Sequence, residues 1–303
     1  TGIAVVIIPI VCLYLLQCLL VPKYASDIKE GAMIKEYYNS EKNHDVLILG
    51  DCEVYENIST VTMWENYGIS SYIRGSAEQL IWQSYYLLED TLKYEKPQVV
   101  ILNVLAMTES DAKNEAYNRM TLDGMKLSKY KIASIRESMT EEENMASYIF
   151  PLLRYHSRWS ELSSEDFRYM WKTPSVTTNG YLMQKGVRPV TTIPKAAPLA
   201  NYTFSDRNME YLDKIDSLCK DNGINLVLMK APSVYPHWYD EWDKQVSDYA
   251  YEHGILYLNT INEAGNIGID YTTDTFDYGQ HLNVEGAEKL SLIHISEPTR
   301  LAL

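Results

Sequence analysis

Five short apolar runs constrain this chain more than any other feature: 46–50 "VLILG", 70–74 "SSYIR", 98–104 "QVVILNV", 224–230 "INLVLMK" and 255–259 "ILYLN". Each is short for a helix and lies among turn or polar residues, so each reads as a strand. Helical patterns lie between them. "SAEQLIWQSYYLLEDTLKYE" opens on a Ser cap and places Leu80, Tyr85, Leu88 and Leu92 at helical spacing. "SDRNMEYLDKIDSLCKDNG" sets Met209, Leu212, Ile215 and Cys219 on one face and ends at Asn-Gly, and "EWDKQVSDYAYEHG" repeats the design. Strands that alternate with helices, several of them nearly all apolar, predict a five-stranded parallel sheet covered on both faces, a three-layer α/β/α domain.

The 303 residues carry a formal net charge of −14. That balance argues against nucleic acid as a partner, because phosphate binding needs a basic footprint. Four cysteines occur without CxxC spacing or a His/Cys cluster at metal-ligand distances, so neither a metal site nor a disulfide framework is expected. No cofactor is expected either.

Residues 2–21, "GIAVVIIPIVCLYLLQCLLV", hold only Gln17 as a clearly polar member. A helix of that length matches the roughly 30 Å apolar core of a bilayer. One transmembrane helix over 1–22 is therefore expected, N-terminally incomplete and uncleaved, since a signal peptide has a shorter apolar region and a small-residue cleavage site. Residues 23–43 read as a stalk with a short lead-in helix. The domain proper is placed at 44–291, with an insertion over 105–223 rich in Tyr, Trp, Met and Arg that covers the strand ends. At the other end, "LSLIHISEPTR" matches a translated sequencing-adapter frame. Residues 292–303 are set aside on that ground, His294 with them, and the natural chain is expected to continue.

Chemistry-bearing residues fall at the strand ends, where α/β sheets bind ligands. They are Gly-Asp-Cys at 50–52, Gly75 in "IRGSAEQ", Asn103 in "VILNV", and "DYGQHLNVEGAEKL" at 277–290. This order resembles the SGNH/GDSL hydrolase family, most closely its membrane-anchored cell-envelope members. The resemblance implies a flavodoxin-like fold and a catalytic set of Cys52, His281 and Asp277. It also implies an oxyanion hole from the Cys52 and Gly75 N–H groups and the Asn103 side chain. Two departures stand out: cysteine occupies the serine position, and Asp277 precedes His281 by four residues rather than three, leaving Tyr278 at the usual offset. The loop absorbs the extra residue, Asp274 serves instead, or the acid is absent.

A thiol at a helix N-terminus beside a histidine is expected to ionise more readily than a free one. His281 would move its proton and Asp277 would hold the imidazole tautomer. Each oxyanion donor is typically worth about 3 kcal/mol. The plainer readings stay open: Cys52 as a small buried apolar residue or a redox thiol, His281 as a loop histidine, Gly75 as a turn residue and Asn103 as a turn cap. A disulfide to Cys219 would need to bridge roughly 20 Å between opposite sheet edges, against a reach of about 7 Å. His44 and His253 precede strands at the far edge and are given no function. His156 and His237 sit in aromatic, polar stretches, facing either the pocket or solvent.

The resemblance implies an acyl-ester hydrolase or O-acyltransferase acting on esters of cell-envelope glycan or polymer. The alternative is a catalytically inactive binding or accessory protein of a membrane acyltransferase system. Expected partners are the acylated polymer, the membrane through the N-terminal helix, and a multi-spanning acyltransferase. The resemblance puts the main domain outside the cytoplasm.

Overall fold

The computed structural model describes residues 2–292, with side chains from residue 6 onward. Residues 293–303, which hold His294 and most of the adapter-like segment, lie outside the described residues. The strands are β1 Val46–Gly50, β2 Ser71–Gly75, β3 Val99–Asn103, β4 Asn225–Lys230 and β5 Leu256–Asn259. The helices are α1 Gly2–Leu20, α2 Ala32–Glu36, α3 Cys52–Asn57, α4 Thr60–Tyr67, α5 Ile81–Thr91, α6 Glu115–Leu122, α7 Lys129–Ser138, α8 Met145–Ile149, α9 Leu152–Tyr155, α10 Ser164–Arg168, α11 Asp206–Asn222, α12 Asp240–His253, α13 Ala264–Ile267 and α14 Val284–Leu290.

All strand pairs are parallel, in the order β2-β1-β3-β4-β5. That is the flavodoxin-like doubly wound order, which opens a crevice beyond the ends of β1 and β3 where the winding reverses. Successive strand residues point to opposite faces. Leu47, Leu49, Val100, Leu102 and Leu228 pack with α5, α7, α11 and α12. Val46, Ile48, Val99, Ile101 and Met229 pack on the other face with α3, α4 and α14. Burying such a side chain fully contributes about 1.5–3 kcal/mol, so both helical layers are held by the sheet.

The stretch read as a stalk is in part core. Met33, Ile34 and Tyr37 are buried, and the guanidinium of Arg74, on β2, stacks over the Tyr37 ring at 4.2 Å. The polar sequence of 23–43 hid these anchors. The insertion does two different things. Its α11 is the crossover helix to β4, whereas 177–190 runs along the β2 edge, where Ile73 N donates to Asn179 O at 2.9 Å. It then braces the loop before α14, with Arg188 N donating to Thr275 O at 2.9 Å and Tyr278 N to Arg188 O at 3.1 Å.

The segment expected to be transmembrane folds as the helix α1, Gly2–Leu20, but the expectation of a span is not met. Among the described residues, no helix is long and apolar enough to cross a membrane.

Candidate active site

The site begins where β1 turns into α3. Two glycines end the neighbouring strands, and both are needed for space. A Cβ on Gly50 would lie 2.7 Å from Asn103 Cβ and 2.9 Å from Val54 Cγ1, and one on Gly75 would lie 2.8 Å from Val54 Cγ2. Their absence lets α3 sit directly on the strand ends. Asp51 caps the helix, its Oδ1 accepting from Glu53 N at 3.0 Å.

His281 is held by three contacts. Its Nδ1 lies 2.6 Å from Asp277 Oδ2 and 3.0 Å from Glu56 Oε2, and its backbone N–H donates to Asp277 Oδ1 at 2.8 Å. The extra residue between Asp277 and His281 is taken up by left-handed backbone, Tyr278 at φ 67° and Gly279 at φ 90°. Asp274, the other acid considered, is used elsewhere. It accepts from Lys289 Nζ at 2.7 Å and from Asp270 N at 2.8 Å, which ties down α14. With Nδ1 facing two carboxylates, Nε2 is the ring nitrogen left for proton transfer. Burial disfavours the imidazolium, but the Asp277 hydrogen bond and the charges of Glu56, Asp277 and Glu53 outweigh it, so the His281 pKa is raised. Asp277 is lowered: burial opposes its charge, yet the His281 ring and N–H prevail. Glu56 is raised by burial, against the pull of His281 and of Gln184.

Cys52 departs from expectation. Burial pushes its thiol well above the usual range, and the charges of Asp51, Glu53, Glu56 and Glu78 push the same way. The expected easy ionisation is therefore corrected: the helix start is outweighed first by burial and then by the carboxylates gathered around it. Among the described residues the thiol makes no hydrogen bond, to His281 or to anything else. Glu56, which touches the imidazole at 3.0 Å, lies one turn further along the same helix face, a rise of about 6 Å from Cys52.

Asn103 is also otherwise engaged. Its Nδ2 donates to Asp51 Oδ1 at 3.1 Å and to Glu53 Oε2 at 3.0 Å, while its Oδ1 accepts from Ala231 N at 3.3 Å. Both amide protons are spent, so the side chain is a buried strut between β3 and α3 and not a free oxyanion donor. The Cys52 N–H, by contrast, has no acceptor among the described residues.

Sequence reasoning missed four members of the site. Glu56 touches the imidazole. Asn57 Oδ1 accepts from Leu282 N at 2.8 Å, fastening the histidine loop to α3. Glu53 and Lys230 form an ion pair at 2.6 Å with both side chains shut from solvent. The remaining Lys230 protons go to Ala231 O at 2.7 Å and Ser233 Oγ at 3.1 Å. A lone lysine closing the apolar run "INLVLMK" was the available signal, as was a glutamate four residues after Cys52.

The other histidines stay apart from the site. His44 pairs with Glu95 at 2.9 Å and His253 with Asp216 at 2.7 Å. His156 bonds Leu153 O, and His237 packs edge-on against Tyr239. Cys219 is buried in the core as a free thiol. Glu56, Asp277 and His281 bring ligand-type atoms within 4.8 Å of one another, a set that could hold a metal ion; their 2.6 and 3.0 Å spacings are those of hydrogen bonds.

No protein-family profile matches the chain, and no curated protein matches it in sequence. Solved structures similar to it include a GDSL-like lipase from Bacteroides thetaiotaomicron, 11% identical, with 90% of this chain and 100% of that chain covered at a TM-score of 0.40. Another, assigned as an acylhydrolase, comes from Bacteroides fragilis; it is 10% identical, with 94% and 98% covered at a TM-score of 0.41.

Proposed function

We propose that this protein is an acyl-ester hydrolase or O-acyltransferase that works through Cys52 and His281 on acyl esters of cell-envelope glycan or polymer, with α1 as its membrane anchor. The observation that carries the reading is the Asp277–His281 pair, 2.6 Å apart, in contact at 3.0 Å with Glu56, which stands one helical turn along α3 from Cys52. Because the surroundings disfavour a thiolate, Cys52 acts as a serine would. Its S–H loses the proton to His281 Nε2 as sulfur bonds the acyl carbon. Nε2 then returns the proton to the leaving alcohol oxygen as the acyl C–O bond breaks. Water or an acceptor hydroxyl attacks the thioester, gives its proton to Nε2, and the thiol recovers that proton on release. The Cys52 N–H is the donor placed for the oxyanion. The carboxylates around the thiol favour neutral or cationic esters over anionic ones.

The test is turnover of p-nitrophenyl acetate by the detergent-solubilised full chain. Cys52→Ala and His281→Ala are each expected to lower kcat/KM by about 10²–10⁴; undiminished turnover in either variant defeats the reading.

A second reading is favoured by the raised thiol pKa and the missing sulfur–imidazole bond: an inactive body that binds acylated polymer beside a multi-spanning acyltransferase. Mass spectrometry after exposure to an activated ester separates the two. The enzyme carries an acyl group on Cys52, and the accessory carries none.

A further inference from the structure

On α1, the side chains of Val6, Ile7, Ile8, Ile10, Leu13 and Tyr14 are each more than half exposed. At 100° per residue these six leave one gap of about 140°, and exposed Cys12 and Leu16 fall within it, so no face of that part of the helix is buried. The base of α1 packs against α9, the turn His156–Ser160 and α10. That same segment of the insertion presents large apolar side chains outward: Phe150 is 60% exposed, Trp159 72%, Phe167 60% and Trp171 66%. The Trp171 ring lies 6.3 Å from that of Tyr14, so this patch is continuous with the apolar surface of α1. The joint is pinned, because Arg158 Nη1 donates to Leu20 O at 2.5 Å. Among the aromatics stand Arg168 and Lys172, both exposed, with no ion pair among the described residues.

We infer that residues 150–172 are a lipid-seating collar: α1 enters a phospholipid bilayer, and Trp159, Phe167 and Trp171 settle at its headgroup level around the helix base. Indole and phenyl rings beside unpaired cations suit that boundary, with apolar bodies toward the acyl chains and charge toward the phosphates. An exposed apolar patch of this kind requires a partner. A bilayer is the one that meets the collar and every side of α1 together. This rests on the membrane reading of α1 and goes beyond it, since a collar seats the whole domain on the surface instead of leaving it tethered by one helix.

The test uses the full chain and phosphatidylcholine–phosphatidylglycerol vesicles, with and without brominated acyl chains that quench nearby tryptophan fluorescence. The expected result is co-flotation with vesicles and quenching that is mostly lost in the Trp159→Phe/Trp171→Phe variant, which stays bound. Trp64→Phe, exposed but outside the collar, should leave the quenching unchanged. Vesicle-bound protein whose quenching does not depend on Trp159 and Trp171 overturns the collar while sparing α1 as anchor. Failure to float, with self-association or capture by another protein instead, overturns both and leaves the ester-turnover test of Cys52 untouched.

Discussion

The imidazole of His281 faces two carboxylates where a triad needs one, and this has a measurable consequence. The raised pKa of His281 means that the neutral ring, the form able to accept a proton, fills only as pH rises above the ordinary imidazole range near 6.5. The rising limb of a pH–rate profile should therefore sit on the alkaline side. Glu56→Gln removes one negative charge 3.0 Å from Nδ1 and should move that limb toward acid, with Asp277 still in place. A limb that does not move in kcat/KM between wild type and variant removes Glu56 from the titration. The sign for stability agrees: a histidine raised on folding gives its full stabilisation below its unfolded pKa and loses it as pH climbs through the folded value. Cys52 yields a companion prediction. If sulfur is deprotonated only in concert with His281, then Cys52→Ser should keep turnover within about tenfold of wild type, unlike Cys52→Ala, because a hydroxyl uses the same base. Iodoacetamide should alkylate the wild-type thiol slowly at neutral pH. Fast alkylation together with an inert serine variant would restore the preformed thiolate expected from the sequence. That expectation went wrong for a stated reason: a helix start and a nearby histidine were visible in the chain, whereas the convergence of Asp51, Glu53, Glu56 and Glu78 needed the fold.

The turn from β1 into α3 concentrates the stress of the site. Asp51 caps the helix while buried beside Glu53, and those two causes, in that order, push its carboxyl up to about 7; Glu53 N, Lys230 and His281 only partly counter them. A carboxyl raised on folding contributes its stability in full below the unfolded pKa near 3.9, and the contribution is lost as pH rises through the folded value. Asp51→Asn keeps a side chain that caps as well and removes the charge. It should therefore raise stability at pH 8 by the order of a few kcal/mol and change little near pH 4, as read from urea denaturation at the two values. Equal effects at both would show that the charge is not what strains the turn. This turn also marks how far the sequence could be read. The strands were legible to within a residue or so, because apolar runs between turn signals have few other solutions. Gly-Asp-Cys, Gly75, Asn103 and Asp277/His281 were visible as strand-end residues. Asn103 was given an outward task, although its buried partners Asp51 and Glu53 come from a segment 50 residues away. The stalk was misread for a similar reason: the ring that matters, Tyr37, gains its purpose only under Arg74 of β2.

Across the molecule, the two sides of the crevice are joined by charge in a dry interior. Lys230 ends β4 and Glu53 stands on α3, 177 positions apart in the chain, and neither side chain reaches solvent. Charges this deep cost more to bury than their attraction alone returns unless hydrogen bonds complete both shells, and here they do. Lys230 uses all three protons, and Glu53 accepts from Asn103 as well. The pair thus fixes the position of α3, and with it Cys52 and Glu56, relative to the half of the sheet that begins at β4. Lys230→Met should leave Glu53 as an unpaired buried carboxylate and cost about 3–5 kcal/mol. Adding Glu53→Gln removes that charge, keeps an acceptor for Asn103, and should recover part of the loss. A double variant no more stable than Lys230→Met alone would mean that the cost is lost packing, and the charged link between the two halves would have no special standing. If the recovery occurs while ester turnover stays low, then the pair serves chiefly to place α3, since a chain that regains its stability without regaining activity has its catalytic groups folded but misaligned.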